Sequence, residues 1–230
     1  MERRLLVLFD IDGTLLDGAP MIVRCVTSAF RAAGETPPSP EAVRNVIGLS
    51  TEHIIDRLAR ALPADRRAKV LSSYRVAFFG AIEREEDLPV FPGVGSALVR
   101  LRHAGITLGI ASGRSRRGTG HLLDTLGWRP LFRTVQHGDA NPSKPNPTMI
   151  YRSLDETGFA PEETVMVGDK CYDMRMARAA GIGAIGVSWG YDQPKLLLGA
   201  GAQSVVEDFE HLAEVLLALP AGRVEATSSS

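Results

Sequence analysis

Cysteine is scarce in this chain: Cys25 and Cys171 are the only two in 230 residues. They lie far apart with no metal-ligand spacing, which argues against a disulfide-built scaffold and fits two reduced thiols in the cytoplasm. An excess of either charge is missing too. Lys plus Arg (26) nearly balances Asp plus Glu (27), a formal net charge of −1, so neither nucleic acid nor an anionic membrane is indicated as a partner. No apolar run approaches the ~20 residues of a membrane-spanning helix. The run Leu5 to Phe9 is also too short for a signal peptide and ends in Asp10, so a cytoplasmic location is expected. The five histidines (His53, His103, His121, His137, His211) are scattered and make no zinc cluster. Internal repeats and low-complexity tracts are absent, apart from the closing Ser228-Ser229-Ser230. What is present is a globular composition, with 44% hydrophobic and 23% charged residues, which argues against disorder. The length suffices for one sizeable core, or for one core carrying a smaller inserted domain.

Leu5 to Phe9 is a continuous apolar run of the kind buried on both faces of a parallel sheet. Ile106 to Ala111, Thr164 to Val167 and Gly183 to Val187 read the same way, and Val205-Val206 suggests a short further strand. Helical patterns lie between them, at Val94–His103, Arg116–Leu126, Thr148–Thr157, Tyr172–Ala180 and Phe209–Leu219. This alternation predicts an α/β fold with a doubly wound parallel sheet, whose ligand site lies beyond the carboxyl ends of the strands. Residues 18–87 break the alternation. Ile22, Val23, Val26, Ala29, Phe30 and Ala33 form one helical stripe ended by Gly34, and further helices are expected near Glu41–Val46, Thr51–Leu62 and Ala64–Glu86. The expected organisation is a catalytic core from 1–17 and 88–220, a helical insertion at 18–87, and a small, polar, mobile tail at 221–230.

Asp10-Ile11-Asp12-Gly13-Thr14-Leu15 stands where the first strand ends. Side chains two apart on an extended backbone point the same way, so Asp10 and Asp12 can face one pocket, and Gly13 permits a sharp turn. Two carboxylates so placed are costly unless a cation or proton separates them; the alternative is an ordinary Asp-Gly turn. Ala111-Ser112-Gly113-Arg114 follows the second core strand, where Ser-Gly can also be a plain helix cap. Arg114, Arg116 and Arg117 read as a solvated helix start, with Arg114 near enough to attract an anion. Lys144-Pro145-Asn146-Pro147 puts a lysine on a stiff segment ahead of a helix. Gly168-Asp169-Lys170-Cys171-Tyr172-Asp173 follows the apolar strand ending at Val167 and brings Asp169 and Asp173 within one helical turn.

In this order, these four segments resemble the motifs of the haloacid dehalogenase superfamily of phosphotransferases, over nearly the whole chain. The resemblance implies a Rossmann-like core and a helical cap inserted after the first motif. It implies Asp10 as nucleophile, Asp12 as general acid and base, and Thr14 steadying their loop. Ser112, backed by Gly113, would bond the transferring phosphoryl group and Lys144 would hold its oxygens. Asp169 would bind Mg2+ with Asp10 and the backbone carbonyl of Asp12, supported by Asp173. A cation is needed because two like charges about 4 Å apart, at an effective dielectric near 20, repel by roughly 4 kcal/mol. An all-oxygen ligand set suits magnesium. The substrate would be a small phosphorylated metabolite, and the chain a monomer or homodimer. Relatives usually carry Ser or Thr at the position of Lys170 and Ser at that of Gly18, where glycine would loosen a cap hinge. The loop Gly48-Leu49-Ser50 and the cations Arg24, Arg44 and Arg75 are candidate substrate contacts. Gly186-Val187-Ser188-Trp189-Gly190-Tyr191 and Gly199-Ala200-Gly201-Ala202 resemble phosphoglycolate phosphatases, making phosphoglycolate the first expected substrate. Other small phosphomonoesters and pyrophosphate are alternatives. So is a phosphomutase of the β-phosphoglucomutase type, though the expected loop after Ser112 is lacking. Dehalogenation would leave Asp12 without a task, and a non-enzymatic binding module would have no use for the full set of charged residues.

Overall fold

The computed structural model describes residues 4–83 and 89–219. Parts of the expected third long insertion helix, the junction at 87/88 and the tail at 221–230 lie outside them. Six parallel strands form one sheet in the order β3-β2-β1-β4-β5-β6. They are β1 (Leu6–Phe9), β2 (Thr107–Ala111), β3 (Phe132–Gln136), β4 (Thr164–Gly168), β5 (Gly183–Val187) and β6 (Ser204–Val206). β1 is central, and the winding reverses across it: β2 and β3 lie on one side, β4 to β6 on the other. The crevice of a doubly wound sheet opens at such a reversal, here beyond Phe9, Ala111 and Gly168.

β1, β4 and β5 are buried on both faces because their apolar runs do not alternate with polar residues. Leu5, Val7 and Phe9 belong to one hydrophobic cluster, Leu6 and Leu8 to the other. The first face is covered by α5 (Val94–His103), α6 (Arg116–Thr125) and α10 (Phe209–Ala218). The second is covered by α7 (Thr148–Thr157), α8 (Cys171–Ala180) and α9 (Pro194–Ala200).

Between β1 and α5 come α1 (Ala19–Ala33), α2 (Pro40–Val46), α3 (Thr51–Leu58) and α4 (Ala64–Ile82). They have their own cluster, in which Ile22, Val26 and Phe30 of α1 meet Val70, Tyr74 and Phe78 of α4. Gly34 ends α1 with φ +79°, a left-handed cap that glycine adopts without strain. The chain leaves and rejoins the core side by side: the Asp17 amide donates to the Pro89 carbonyl (2.9 Å) and the Phe91 amide to the Leu15 carbonyl (3.1 Å). Among the described residues no helix is long and apolar enough to cross a membrane.

Besides two short 3-10 helices, Arg129–Leu131 and Pro161–Glu163, one strand and one α-helix among the described residues go beyond the expected set. β3 pairs only with β2, and its exposed Arg133 interrupts the apolar pattern, as an edge strand permits. α9 is a single short element begun by Pro194. α3 also stops at Leu58, four residues before the expected Leu62. Pro63 then precedes α4, and a proline pushes the residue before it out of helical conformation.

Candidate active site

The Asp10 amide donates to the Val167 carbonyl of β4 (3.0 Å), carrying the sheet's register one residue past β1. Gly13 then turns the chain with φ +90°, and a Cβ there would lie 2.2 Å from Asp169 Oδ2. Only glycine lets this loop approach Asp169 so closely. Thr14 Oγ1 donates to Asp169 Oδ1 (3.2 Å), and the Trp189 indole N–H donates to the Thr14 carbonyl (3.0 Å). Trp189 is itself packed against Phe209, with ring centroids 4.7 Å apart.

Lys144 is 2% exposed and lies between two carboxylates. Its Nζ is 2.9 Å from Asp10 Oδ1 and donates to Asp173 Oδ1 at 2.6 Å. The Asp173 Oδ2 atom accepts from the Lys170 amide (3.1 Å). Asp169 Oδ2 accepts from the Tyr191 amide (2.9 Å). Neither Asp10 oxygen accepts a well-directed hydrogen bond; the lysine approaches Oδ1 as an ion pair, off that direction. Ser112, at the tip of β2, is buried and accepts from the Arg114 amide (3.2 Å), which leaves its hydroxyl proton free to donate.

Burial dominates the electrostatics. It pushes the Asp10 carboxyl up to about 7, with Lys144 pulling the other way and Asp173 and Asp12 adding to the rise. Burial likewise raises Asp169 well above the usual carboxylate range, reinforced by Asp10 and Asp173. For Lys144 burial favours the neutral amine, but Asp10 and Asp173 outweigh it and raise its pKa.

Asp10, Asp12, Thr14, Ser112, Lys144, Asp169 and Asp173 are thus brought to one end of the sheet. Oxygens of Asp10, Asp169 and Asp173 come within 4.8 Å of one another. Four buried aspartates, counting Asp12, face Lys144 and Arg114, while a third buried cation, Lys170, is taken up by Asp192; with every group ionised that is a formal excess of two negative charges. A hard divalent cation fits that excess and this oxygen-only donor set. The Asp12 carboxylate is held elsewhere, so its share in such a site would be its backbone carbonyl.

What holds Asp12 corrects the reading of Arg114 as part of a solvated helix start. Arg116 and Arg117 are exposed, but Arg114 is buried. Its Nε and Nη2 each reach one Asp12 oxygen at 2.6 Å, a two-pronged pair. Gly18 makes room for it: a Cβ there would lie 1.9 Å from Asp12 Oδ1 and 3.1 Å from Arg114 Nη2. Its φ of −75° is ordinary, so space accounts for this glycine. Lys170 is buried too and pairs with Asp192. Tyr191 closes the stretch singled out in the sequence for its resemblance to phosphoglycolate phosphatases, but neither its contact with Asp169 nor the role of Asp192 was signalled there.

The insertion covers the site. The main-chain oxygens of Gly48 and Leu49 lie 2.6 and 2.3 Å from where a Cβ on Gly113 would sit, and the Ser50 amide donates to Ser143 Oγ (2.9 Å). Between them is a cavity of about 20 Å³, lined by Asp10, Asp12, Ser112 and Arg114 below and by apolar side chains such as Ile22, Leu49, Tyr74 and Phe78 above. That is room for about one water molecule. A second cavity of about 170 Å³ adjoins it, sharing Thr51, Tyr74, Phe78 and Ser115. Arg24 and Arg44 are exposed and line neither, while Arg75 lines the outer one and pairs with Glu52 at 2.6 Å.

Comparison with known proteins bears on the same residues. The family model described as haloacid dehalogenase-like hydrolase matches residues 7–187. A phosphoglycolate phosphatase of Pseudomonas putida is 30% identical over 211 residues, 90% of this chain and 78% of that one. A Dickeya dadantii protein named "Probable phosphatase IndB" is 35% identical over 214 residues, 90% of this chain and 91% of its own. In fold, the chain is similar to a haloacid dehalogenase-like hydrolase of Streptococcus pneumoniae, with TM-score 0.81 at 22% identity, over 94% of this chain and all of the other. The match spans Asp10, Ser112, Lys144 and Asp169, and on it the chain belongs to the haloacid dehalogenase-like hydrolases.

Proposed function

We propose that this protein is a Mg2+-dependent phosphomonoester hydrolase that carries the phosphoryl group on Asp10, with phosphoglycolate as its leading substrate. One observation carries the reading: the Asp10 carboxylate is buried, accepts no well-directed hydrogen bond, and faces Lys144, Ser112 and an acidic cluster in a cavity. Its Oδ1 is paired with the Lys144 ammonium at 2.9 Å while Oδ2 meets no protein donor, which leaves one carboxylate oxygen available to attack phosphorus. Relatives named phosphoglycolate phosphatase support the substrate.

In the first step an Asp10 oxygen attacks phosphorus, the bond to the substrate's ester oxygen breaks, and Asp12 gives that oxygen a proton. In the second, Asp12 takes a proton from water as the water attacks phosphorus, and Asp10 is released. Lys144 holds the phosphoryl oxygens while Asp173 fixes its ammonium, and the Ser112 hydroxyl donates a further hydrogen bond. A Mg2+ ion held by Asp10, Asp169 and the Asp12 carbonyl would supply the positive charge that lets two anions approach. The helices of residues 18–83 act as a cap that excludes water and limits substrate size.

Phosphate release from phosphoglycolate should require added Mg2+. Asp10→Asn should lower kcat by at least about 10⁴-fold, in line with losses seen when a catalytic group is removed. Asp10→Asn protein that still turns over would remove Asp10 from the nucleophile's role.

A further inference from the structure

Asp12 cannot give its proton away in the arrangement seen here. Both of its oxygens accept from the Arg114 guanidinium, at 2.6 Å each, and a carboxyl group that donates must give up one of those bonds. Nor can a substrate enter a cavity of about 20 Å³. Arg114 is part of what fills that space. Its guanidinium carbon lies 5.5 Å from the centre of the Phe78 ring on α4, so one flat group touches the catalytic loop on one side and the insertion on the other.

Among the described residues lining the cavity, Arg114 is the one cation; the insertion's contribution is apolar apart from Thr51 and the Tyr74 hydroxyl. A substrate whose leaving portion bears a second anion meets no other cation in this cavity, since Arg75 lies on the outer one and is paired with Glu52. We infer that Arg114 exchanges carboxylates: it holds Asp12 while the site is empty and moves to an anionic group on the leaving portion when a substrate binds, which frees Asp12 to protonate the ester oxygen. The substrate class is a small phosphomonoester whose leaving portion bears a carboxylate. The guanidinium fork suits this exchange, since it meets either carboxylate with the same two N–H bonds. Gly18 keeps open the space in which the pair forms.

This inference rests on the phosphatase reading above and makes a separate prediction. A substrate with a neutral tail leaves Arg114 on Asp12, so it should suffer in kcat as well as in KM. The test compares phosphoglycolate with ethyl phosphate in the magnesium-loaded wild type, in Arg114→Gln and in Arg114→Lys. The wild type should prefer the acid. The ratio of the two kcat/KM values should fall about tenfold or more in Arg114→Gln, the worth of one charge-assisted pair. It should fall less in Arg114→Lys, which keeps the charge and loses the fork. A ratio within about threefold of wild type overturns the exchange, as does a change confined to KM, since simple anion binding would give that. Should the variants fail to fold, the wild type alone decides. There ethyl phosphate should show a kcat about tenfold or more below that of phosphoglycolate, and equal kcat values overturn the exchange. Hydrolysis of neither ester by wild type, or turnover by Asp10→Asn, would instead sink the phosphatase reading.

Discussion

Lys144 is the side chain whose loss should cost most. It is buried and paired with Asp10 and Asp173 together. Removing one member of a buried ion pair leaves its partner's charge uncompensated, at about 3–5 kcal/mol. Lys144→Ala should therefore lower the unfolding free energy by that order in urea titrations without magnesium. Adding Asp173→Asn should cost less than the sum of the two single changes, because it removes the charge left stranded. Gly18→Ser should dislodge Asp12 from Arg114, since the new Cβ falls 1.9 Å from Asp12 Oδ1; a crystal structure of the variant with both carboxylate oxygens still on the guanidinium would refute this. At this scale the sequence was most informative where the chemistry is local. Asp10 and Asp12 sit two apart, a spacing that backbone geometry can read; Asp169 and Asp173 do meet, but not on one helical turn as expected, because α8 begins only at Cys171 and the extended Lys170 stands between them. The Arg114–Asp12 pair joins residues 102 positions apart. Whether that arginine is solvated depends on Phe78 and the insertion above it, which no local pattern encodes.

Among the strands, the clearest matches to expectation are those buried on both sides. β1, β4 and β5 are continuous apolar runs whose burial leaves no other reading. β3 was illegible for the opposite reason: as an edge strand it keeps Arg133 in solvent, and its period-two pattern is too brief to separate from a loop. The loops between elements decide how tightly the insertion sits on the core. Gly113 meets the main-chain oxygens of Gly48 and Leu49, and backbone atoms cannot swing aside as a side chain does. Gly113→Ala should therefore pry the Gly48–Ser50 loop from the core. A loss of about 1–3 kcal/mol is expected, the usual cost of overpacking. It should come with faster amide exchange at Ser50, whose N–H now bonds Ser143; unchanged exchange would mean that the loop tolerates the methyl group.

Across the whole molecule, the crowding of buried carboxylates at the end of the sheet predicts that stability follows a divalent ion added to the protein. A ligand bound only by the folded state stabilises by about 2.7 kcal/mol at a hundred times its dissociation constant. For a protein of this size that is a rise in melting temperature of about 5–10 °C. Saturating magnesium should produce such a rise, and EDTA should abolish it. Asp169→Asn should melt at nearly one temperature with or without the ion; a full-sized rise in that variant would assign the metal to other ligands.

The four helices between β1 and α5 leave and rejoin the sheet through neighbouring segments, with Asp17 bonded to Pro89 and Phe91 to Leu15. Their apolar contacts are largely with one another. Such a module resembles a bud on a doubled stalk: cutting at the stalk and sealing the two stumps with a short turn leaves the strand order and both sheet faces intact. An engineered exchange of one roof for another would thus leave the floor's own residues, Arg114 among them, in place and change only the largely apolar wall above them.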